Sequence, residues 1–171
     1  MMKILSYPEP FLRRNVQPVK EITHELLDAV PLMFQTMYAA KGVGLAATQV
    51  GIDQALFVIN MTQEPAGELV FINPELVDAE GEVLELEGCL SLPGLEAKVR
   101  RSTRVRVRAL DPQGKPFEFE GTGYLARALQ HELDHLAGLL FIDKIGPAAR
   151  IGLKSRLQEF EERYASRQKT P

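Results

Sequence analysis

The spacing of apolar residues changes twice along the chain, from helical to alternating and back to helical. Between Thr23 and Ala40, Leu26, Leu27, Val30, Met33, Phe34 and Met37 recur at three- and four-residue steps. That spacing lines one face of an amphipathic helix. Thr23 offers a side-chain oxygen to cap its start, and His24 beside it reads as a solvated or capping residue. Pro31 falls inside the stripe and has no amide proton to donate, so a kink or a late helix start is expected there. The following run, Gly42-Val43-Gly44-Leu45-Ala46-Ala47-Thr48-Gln49, is too glycine-rich at its start for a helix and too small-sided for an ordinary strand.

From about Ala55 to Phe119 the pattern becomes β. Leu56–Asn60, Leu69–Ile72, Val83–Leu86, Arg104–Ala109 and Pro116–Glu120 are short runs rich in strand formers. Turn signals at Asn73-Pro74, Glu80-Gly81, Pro93-Gly94 and Asp111-Pro112-Gln113-Gly114 separate them. Arg104-Val105-Arg106-Val107-Arg108 alternates perfectly, as a strand with one solvated face does. Helical spacing returns over Thr122–Leu136, with Thr122 as N-cap and Gly138 as the stop. It appears again from about Pro147 to Arg167, where Ile151, Leu153, Leu157, Phe160 and Tyr164 form the stripe. Hairpin-like strand spacing favours antiparallel pairing. The expected class is therefore α+β: antiparallel β-sheets packed around a central helix, with an N-terminal and a C-terminal helix. No repeat, low-complexity tract or flexible linker divides the chain, so residues 1–171 are read as a single domain.

Composition narrows the function classes. Apolar residues make up 45% and charged residues 25%, the balance of a globular protein rather than a disordered one. A net charge of −3 argues against a general nucleic-acid binder. The opening residues lack the apolar stretch of a signal peptide, and no apolar run reaches membrane-spanning length, so a soluble intracellular protein is expected. The single cysteine, Cys89, has no disulfide partner within the chain; it is a packing residue, a reactive thiol or a metal ligand.

His131-Glu132-Leu133-Asp134-His135 narrows that choice, because it is H-E-x-x-H on a predicted helix. Residues four apart share a helix face, so both imidazoles can address one cation. Glu132 lies beside that face, placed to act on a metal-bound water without binding the metal itself. Two unrelated histidines would give the same letters, yet two of the chain's three histidines fall in this one pattern. A catalytic metal site needs three protein ligands and an open position. A histidine three residues past Gly138 would complete one peptidase pattern, but Phe141 stands there. A downstream glutamate would complete another; Glu159, Glu161 and Glu162 are available but read as the charged side of the last helix. Cys89 is the better third ligand. It ends a strand beside Gly88, which lets the chain pass close to an ion, and its thiolate suits a borderline or soft metal.

Three motifs in order, Gly42 to Gln49, Glu87-Gly88-Cys89-Leu90-Ser91 and Gln130 to Leu136, give the chain a resemblance to the peptide deformylases. Ile4 to Arg13 and Gly138 to Ile145 extend the likeness to nearly the whole chain except the last helix. The resemblance implies a metal-dependent hydrolase that removes the N-formyl group from the formylmethionine of nascent polypeptides. It implies one divalent ion on Cys89, His131 and His135, with iron(II) favoured and zinc, nickel or cobalt also suited to the donors. Glu132 is then the general acid/base, and the Gln49 amide with the Leu90 N–H binds the oxyanion. Val43, Gly44 and Gly88 offer backbone to an added peptide strand, and the methionine side chain sits near Tyr124, Ala128 and His131. Arg127, where many relatives carry an aliphatic residue, either contacts substrate or extends to water. Glu87 and Asp134 adjoin ligands and would need a cation if buried; Arg101 matches the position that bridges them, the plainer alternative being three solvated charges.

Further expectations concern partners and place. Arg150, Lys154, Arg156, Arg163 and Arg167 on the last helix either touch the ribosome or form a solvated face. A bacterial cytoplasm is expected, an organelle form being the alternative, with no membrane and no specific nucleic acid as partners. Two competing functions stay open: an H-E-x-x-H zinc peptidase, with a third ligand downstream of His135, and a metal-stabilised interaction module, with a closed four-ligand site.

Overall fold

A computed structural model describes residues 1–169. It contains helices α1 (His24–Ala39), α2 (Gly123–Leu136) and α3 (Pro147–Gln168). Seven strands accompany them: β1 (Gly44–Ala46), β2 (Leu56–Ile59), β3 (Leu69–Glu80), β4 (Val83–Gly88), β5 (Glu96–Arg101), β6 (Arg104–Leu110) and β7 (Pro116–Thr122). Five form an antiparallel sheet in the order β1-β2-β3-β6-β7, and β4 and β5 form a separate hairpin. The class is α+β, as the patterns imply.

Helix α1 begins where Thr23 predicts, the threonine hydroxyl accepting the Leu26 N–H at 3.2 Å. It runs uninterrupted through Pro31, so the late start does not occur. One lost backbone bond is outweighed by the buried stripe of Leu26, Met33, Phe34 and Met37, which packs on β1 and β2. His24 is the exposed first residue of the helix, and the capping falls to Thr23 alone.

The sheet departs from expectation at three places. Asn73-Pro74 does not end a strand; β3 continues to Glu80, with a register shift between Ile72 and Glu75. Asn73 tolerates a φ of 50° there because its side chain accepts the Val19 N–H at 2.7 Å and donates to the Val19 carbonyl at 2.8 Å. A distant segment thus turns a local turn signal into a bulge. Strand β5 escapes the sequence pattern because one of its inward positions is charged: Ala97, Val99 and Arg101 point in, while Glu96, Lys98 and Arg100 point out. Strand β1 escapes because its three residues are all buried and carry no alternation. The Arg104–Arg108 alternation does hold, with Val105 and Val107 buried and Arg106 and Arg108 exposed.

Helix α2 lies centrally, against β1, β2, β6 and β7, and reaches β5. Its inner face shares one core with Phe57, Phe71, Val105 and Val107. Thr122 precedes it but makes no side-chain capping bond, contrary to expectation; β7 already holds the residue in extended form. Gly138 does stop it, at φ 72°. A side chain there would press on the Arg13 backbone, whose carbonyl carbon lies 2.8 Å from the place of a Cβ. Helix α3 buries Leu157 and half-buries Leu153, Phe160 and Tyr164. Ile151, expected in that stripe, is 75% exposed, because only one turn-spaced row of α3 meets the body of the protein. Among the described residues no helix is long and apolar enough to cross a membrane.

Phe71 is the hub of the central core, fully buried, stacked on Phe57 at 4.7 Å and edge-on to Phe119 at 5.6 Å. Phe71→Ala should destabilise the protein by about 3–5 kcal/mol. Thermal unfolding should show this as a fall of roughly 10 °C in Tm for a chain of this size.

Candidate metal centre

Helical spacing places His131 and His135 one turn apart on α2, with their Nε2 atoms 3.1 Å apart and ring planes at 76°. Cys89 stands in the turn that leaves β4, its Sγ 3.3 Å from His135 Nε2. One donor atom from each of the three lies within 4.8 Å of the others. In a tetrahedral site with metal–ligand bonds of about 2.0–2.3 Å, donors sit roughly 3.3–3.8 Å apart. The two separations at His135, 3.1 and 3.3 Å, are close to that range, and a sulfur with two imidazoles is a donor set for a divalent transition metal, so the residues fit such an ion.

The tautomer of His131 is set from behind. Its Nδ1 lies 2.6 Å from Glu87 Oε1, so Nδ1–H donates and Nε2 is left for the cluster. Arg101, 3% exposed, grips the same carboxylate twice, Nη2 to Oε1 at 2.6 Å and Nε to Oε2 at 3.0 Å. Its Nη1 reaches Asp134 Oδ2 at 2.5 Å. Glu87, Arg101 and Asp134 are therefore one buried network rather than three solvated charges. Burial alone would raise the Glu87 carboxyl, but the hydrogen bonds from His131 and Arg101 outweigh it and hold its pKa at about 2. Burial disfavours charge on both imidazoles. At His131 the bonds to Cys89 and Glu87 overcome that and raise its pKa; at His135 the neighbouring His131 charge adds to burial and lowers it. A divalent ion bound there would supply the positive charge that a proton otherwise supplies.

Glu132 follows His131 on α2 and is 4% exposed. Burial pushes its carboxyl up to about 7, the Glu87 charge adding to the rise while His131 and Arg101 oppose it. Its Oε2 is buried without a hydrogen-bond partner among the described residues. Strand β1 passes directly over it, and a Cβ on Gly44 would lie 2.9 Å from Glu132 Cδ, so only glycine leaves room.

Gln49 sits in a short 3₁₀ turn, Ala47–Val50, tied to α2 through Thr48 Oγ1 and the His135 carbonyl at 3.4 Å. It is buried, its Oε1 accepting the Ala46 N–H at 3.0 Å. Its Nε2 donates to Ser91 Oγ at 3.1 Å and faces Cys89 Sγ at 3.6 Å. Leu90 follows Cys89 in a turn closed by the Leu92 N–H on the Cys89 carbonyl at 3.0 Å. Two residues went without a role in the sequence. Ser91 donates its N–H to Cys89 Sγ at 3.4 Å as well as accepting from Gln49, and Lys144 Nζ lies 2.9 Å from Asp134 Oδ1. Proximity to the ligand signalled the first; nothing local signals the second.

A cleft of about 1010 Å³ opens onto Cys89, His131 and Glu132. Val43 and Gly44 line one side and Gly88 another. Among the described residues, strand β1 pairs only with β2, and β4 only with β5, so each leaves an unpaired backbone edge. Tyr124, Arg127 and Ala128 line the cleft from α2. Arg127 does not simply extend to water: it donates to the Leu86 carbonyl and lies 5.5 Å over the Tyr124 ring. The downstream glutamates stay away from the cluster, Glu161 bonded to Tyr7 and Glu159 beside Arg156 and Arg163.

The chain matches the polypeptide deformylase family model over residues 1–150. It is 47% identical over 152 residues to a peptide deformylase of Thermodesulfovibrio yellowstonii, covering 88% of this chain and 92% of that one. The crystal structure of a peptide deformylase from Legionella pneumophila superposes with a TM-score of 0.90 at 42% identity, over 100% of this chain and 99% of that one. The Thermus thermophilus peptide deformylase gives 0.87 at 38% identity, over 95% and 99%.

The raised Glu132 pKa has a measurable consequence for stability. A carboxyl protonated more readily in the folded state loses stabilisation as pH climbs from the unfolded value toward about 7. After chelation of metal, Glu132→Gln should therefore match the wild type near pH 4.5 and exceed it at pH 8, by roughly 3 kcal/mol. Thermal unfolding of both proteins across that range checks it; an equal difference at both ends would contradict the assignment.

Proposed function

The chain belongs to the peptide deformylase family, and from that premise we propose that Cys89, His131 and His135 hold one divalent ion, with Glu132 as general acid/base. It is a metal-dependent hydrolase that removes the formyl group from the N-terminal formylmethionine of nascent polypeptides. The observation that carries the residue assignment is the convergence of one sulfur and two ring nitrogens beside a buried carboxylate oxygen that lacks a partner among the described residues.

An ion bound there supplies Lewis acidity, making a water nucleophilic near neutral pH and polarising the formyl carbonyl. Glu132 takes the proton as the water oxygen attacks the formyl carbon. It returns that proton to the amide nitrogen as the C–N bond breaks, releasing a free amine and formic acid, which loses its proton to water as formate. A carboxyl held near pH 7 can do both. Negative charge gathers on the former formyl oxygen. The Gln49 amide, fixed by Ala46 and Ser91, and the Leu90 N–H are neutral donors held ready for it. The peptide runs extended between the β1 edge at Val43 and Gly44 and the β4 edge at Gly88. Tyr124, Arg127 and Ala128 form the wall for the methionine side chain.

Iron(II) is the ion we propose, and zinc, nickel and cobalt suit the same donors. Residues 1–171 act as one catalytic domain, in a bacterial cytoplasm. Arg150, Lys154, Arg156, Arg163 and Arg167 are exposed along α3, which supports contact with ribosomal phosphates near the emerging chain. A peptidase with a glutamate ligand on α3 is disfavoured, because Glu159 and Glu161 are engaged elsewhere. A closed structural site is disfavoured because it would leave Glu132 without a task.

Assayed anaerobically on formyl-Met-Ala-Ser, Glu132→Ala should keep its metal and lose about 10²–10⁴ in kcat. Undiminished turnover would overturn the acid/base role. Cys89→Ser should lose tight metal binding, and retention of one tightly held ion would remove the cysteine from the ligand set. Gln49→Ala should lower kcat by about 10²–10³ with metal content unchanged.

A further inference from the structure

Behind the metal ligands, the largely buried carboxylates Glu87 and Asp134 face a single buried guanidinium, that of Arg101. Arg101 meets both, but unequally: a two-pronged grip on Glu87 and one bond to Asp134 Oδ2. The second Asp134 oxygen, Oδ1, takes Lys144 Nζ at 2.9 Å. Lys144 follows the 3₁₀ turn Phe141–Asp143, beyond the end of α2 and outside the elements that carry Glu87, Arg101 and Asp134. That turn is itself pinned, since Asp143 accepts the Leu140 N–H at 2.8 Å and pairs with Arg13. The lysine side chain is 38% exposed and closes the network toward solvent.

We infer that Lys144 is a positioning residue for the metal site, acting through Asp134, Arg101 and Glu87 on His131. With Lys144 in place two carboxylates meet two cations, and each Asp134 oxygen has its own donor. Arg101 is then free to give Nε and Nη2 to Glu87, and Glu87 Oε1 holds His131 Nδ1–H so that Nε2 faces the ligand cluster. Without Lys144, two buried carboxylates compete for one guanidinium, and Asp134 draws Arg101 away from Glu87. The restraint on the His131 ring loosens, and the bound ion leaves faster.

The inference rests on Cys89, His131 and His135 being the ligands, and the test separates the two. Each protein is loaded with Co²⁺, and loss of the visible cobalt absorption is followed after adding excess dipicolinate. Wild type should hold one equivalent, whereas a wild type that holds none overturns the ligand assignment and this inference with it. Lys144→Met should release cobalt roughly tenfold faster, and Lys144→Arg should return to within about twofold of wild type. The double variant Asp134→Asn, Lys144→Met should release more slowly than Lys144→Met alone, since one carboxylate is left for one guanidinium. Should Lys144→Met fail to fold, Lys144→Gln is held to the same rate. Cobalt release from either variant at the wild-type rate, no rescue by arginine, or a double variant as leaky as the single one would overturn the role of Lys144 while leaving the ligand assignment intact.

Discussion

Arg101 is where the hairpin of β4 and β5 and the helix α2 are joined electrostatically. A guanidinium withdrawn from water is tolerated only where carboxylates meet it, and Glu87 from β4 and Asp134 from α2 do so. That pairing fixes how the hairpin sits against the helix, and with it the distance from Cys89, just past β4, to His131 and His135. It also fixes which nitrogen of His131 faces the cluster, because Glu87 takes the proton on Nδ1. Few single contacts in the fold have so many consequences for the site.

The same arrangement separates the tasks of three carboxyls gathered around His131. Glu87 is held ionised by the hydrogen bonds it accepts, at a pKa of about 2. Asp134 is shared between Arg101 and Lys144. Glu132, on the face turned toward β1, has burial without a cation in contact and is pushed to about 7. Environment rather than residue type thus leaves one carboxyl able to exchange a proton near neutral pH. Gly44 belongs to this division as well, since any larger residue would occupy the space of the Glu132 carboxylate.

Access to the site comes from incomplete sheets. The large sheet ends at β1 and the small one consists of two strands, so two unpaired edges border one cleft. Exposed edges are ordinarily an aggregation hazard. Here they are short, β1 spanning three residues, and they border a concave wall that includes Arg127, itself bonded to the β4 backbone at Leu86. An extended peptide docked as proposed would satisfy such edges with main-chain hydrogen bonds while its first side chain enters the cavity.

Much of this was legible in the residues alone. Helix periodicity located α1, α2 and α3, the valine–arginine alternation located β6, and H-E-x-x-H on a helix put two imidazoles on one face, because these are local consequences of 3.6- and 2-residue periods. Strand β5 was not legible, since its inward Arg101 breaks the apolar alternation and is explained only by carboxylates 14 and 33 positions away. The bulge at Asn73 needed Val19, and the bonding of Lys144 needed Asp134. The sequence determined which groups are available for the proposed chemistry; the tertiary structure alone decided which charges meet, because pairing of buried ions depends on distances that no local period encodes.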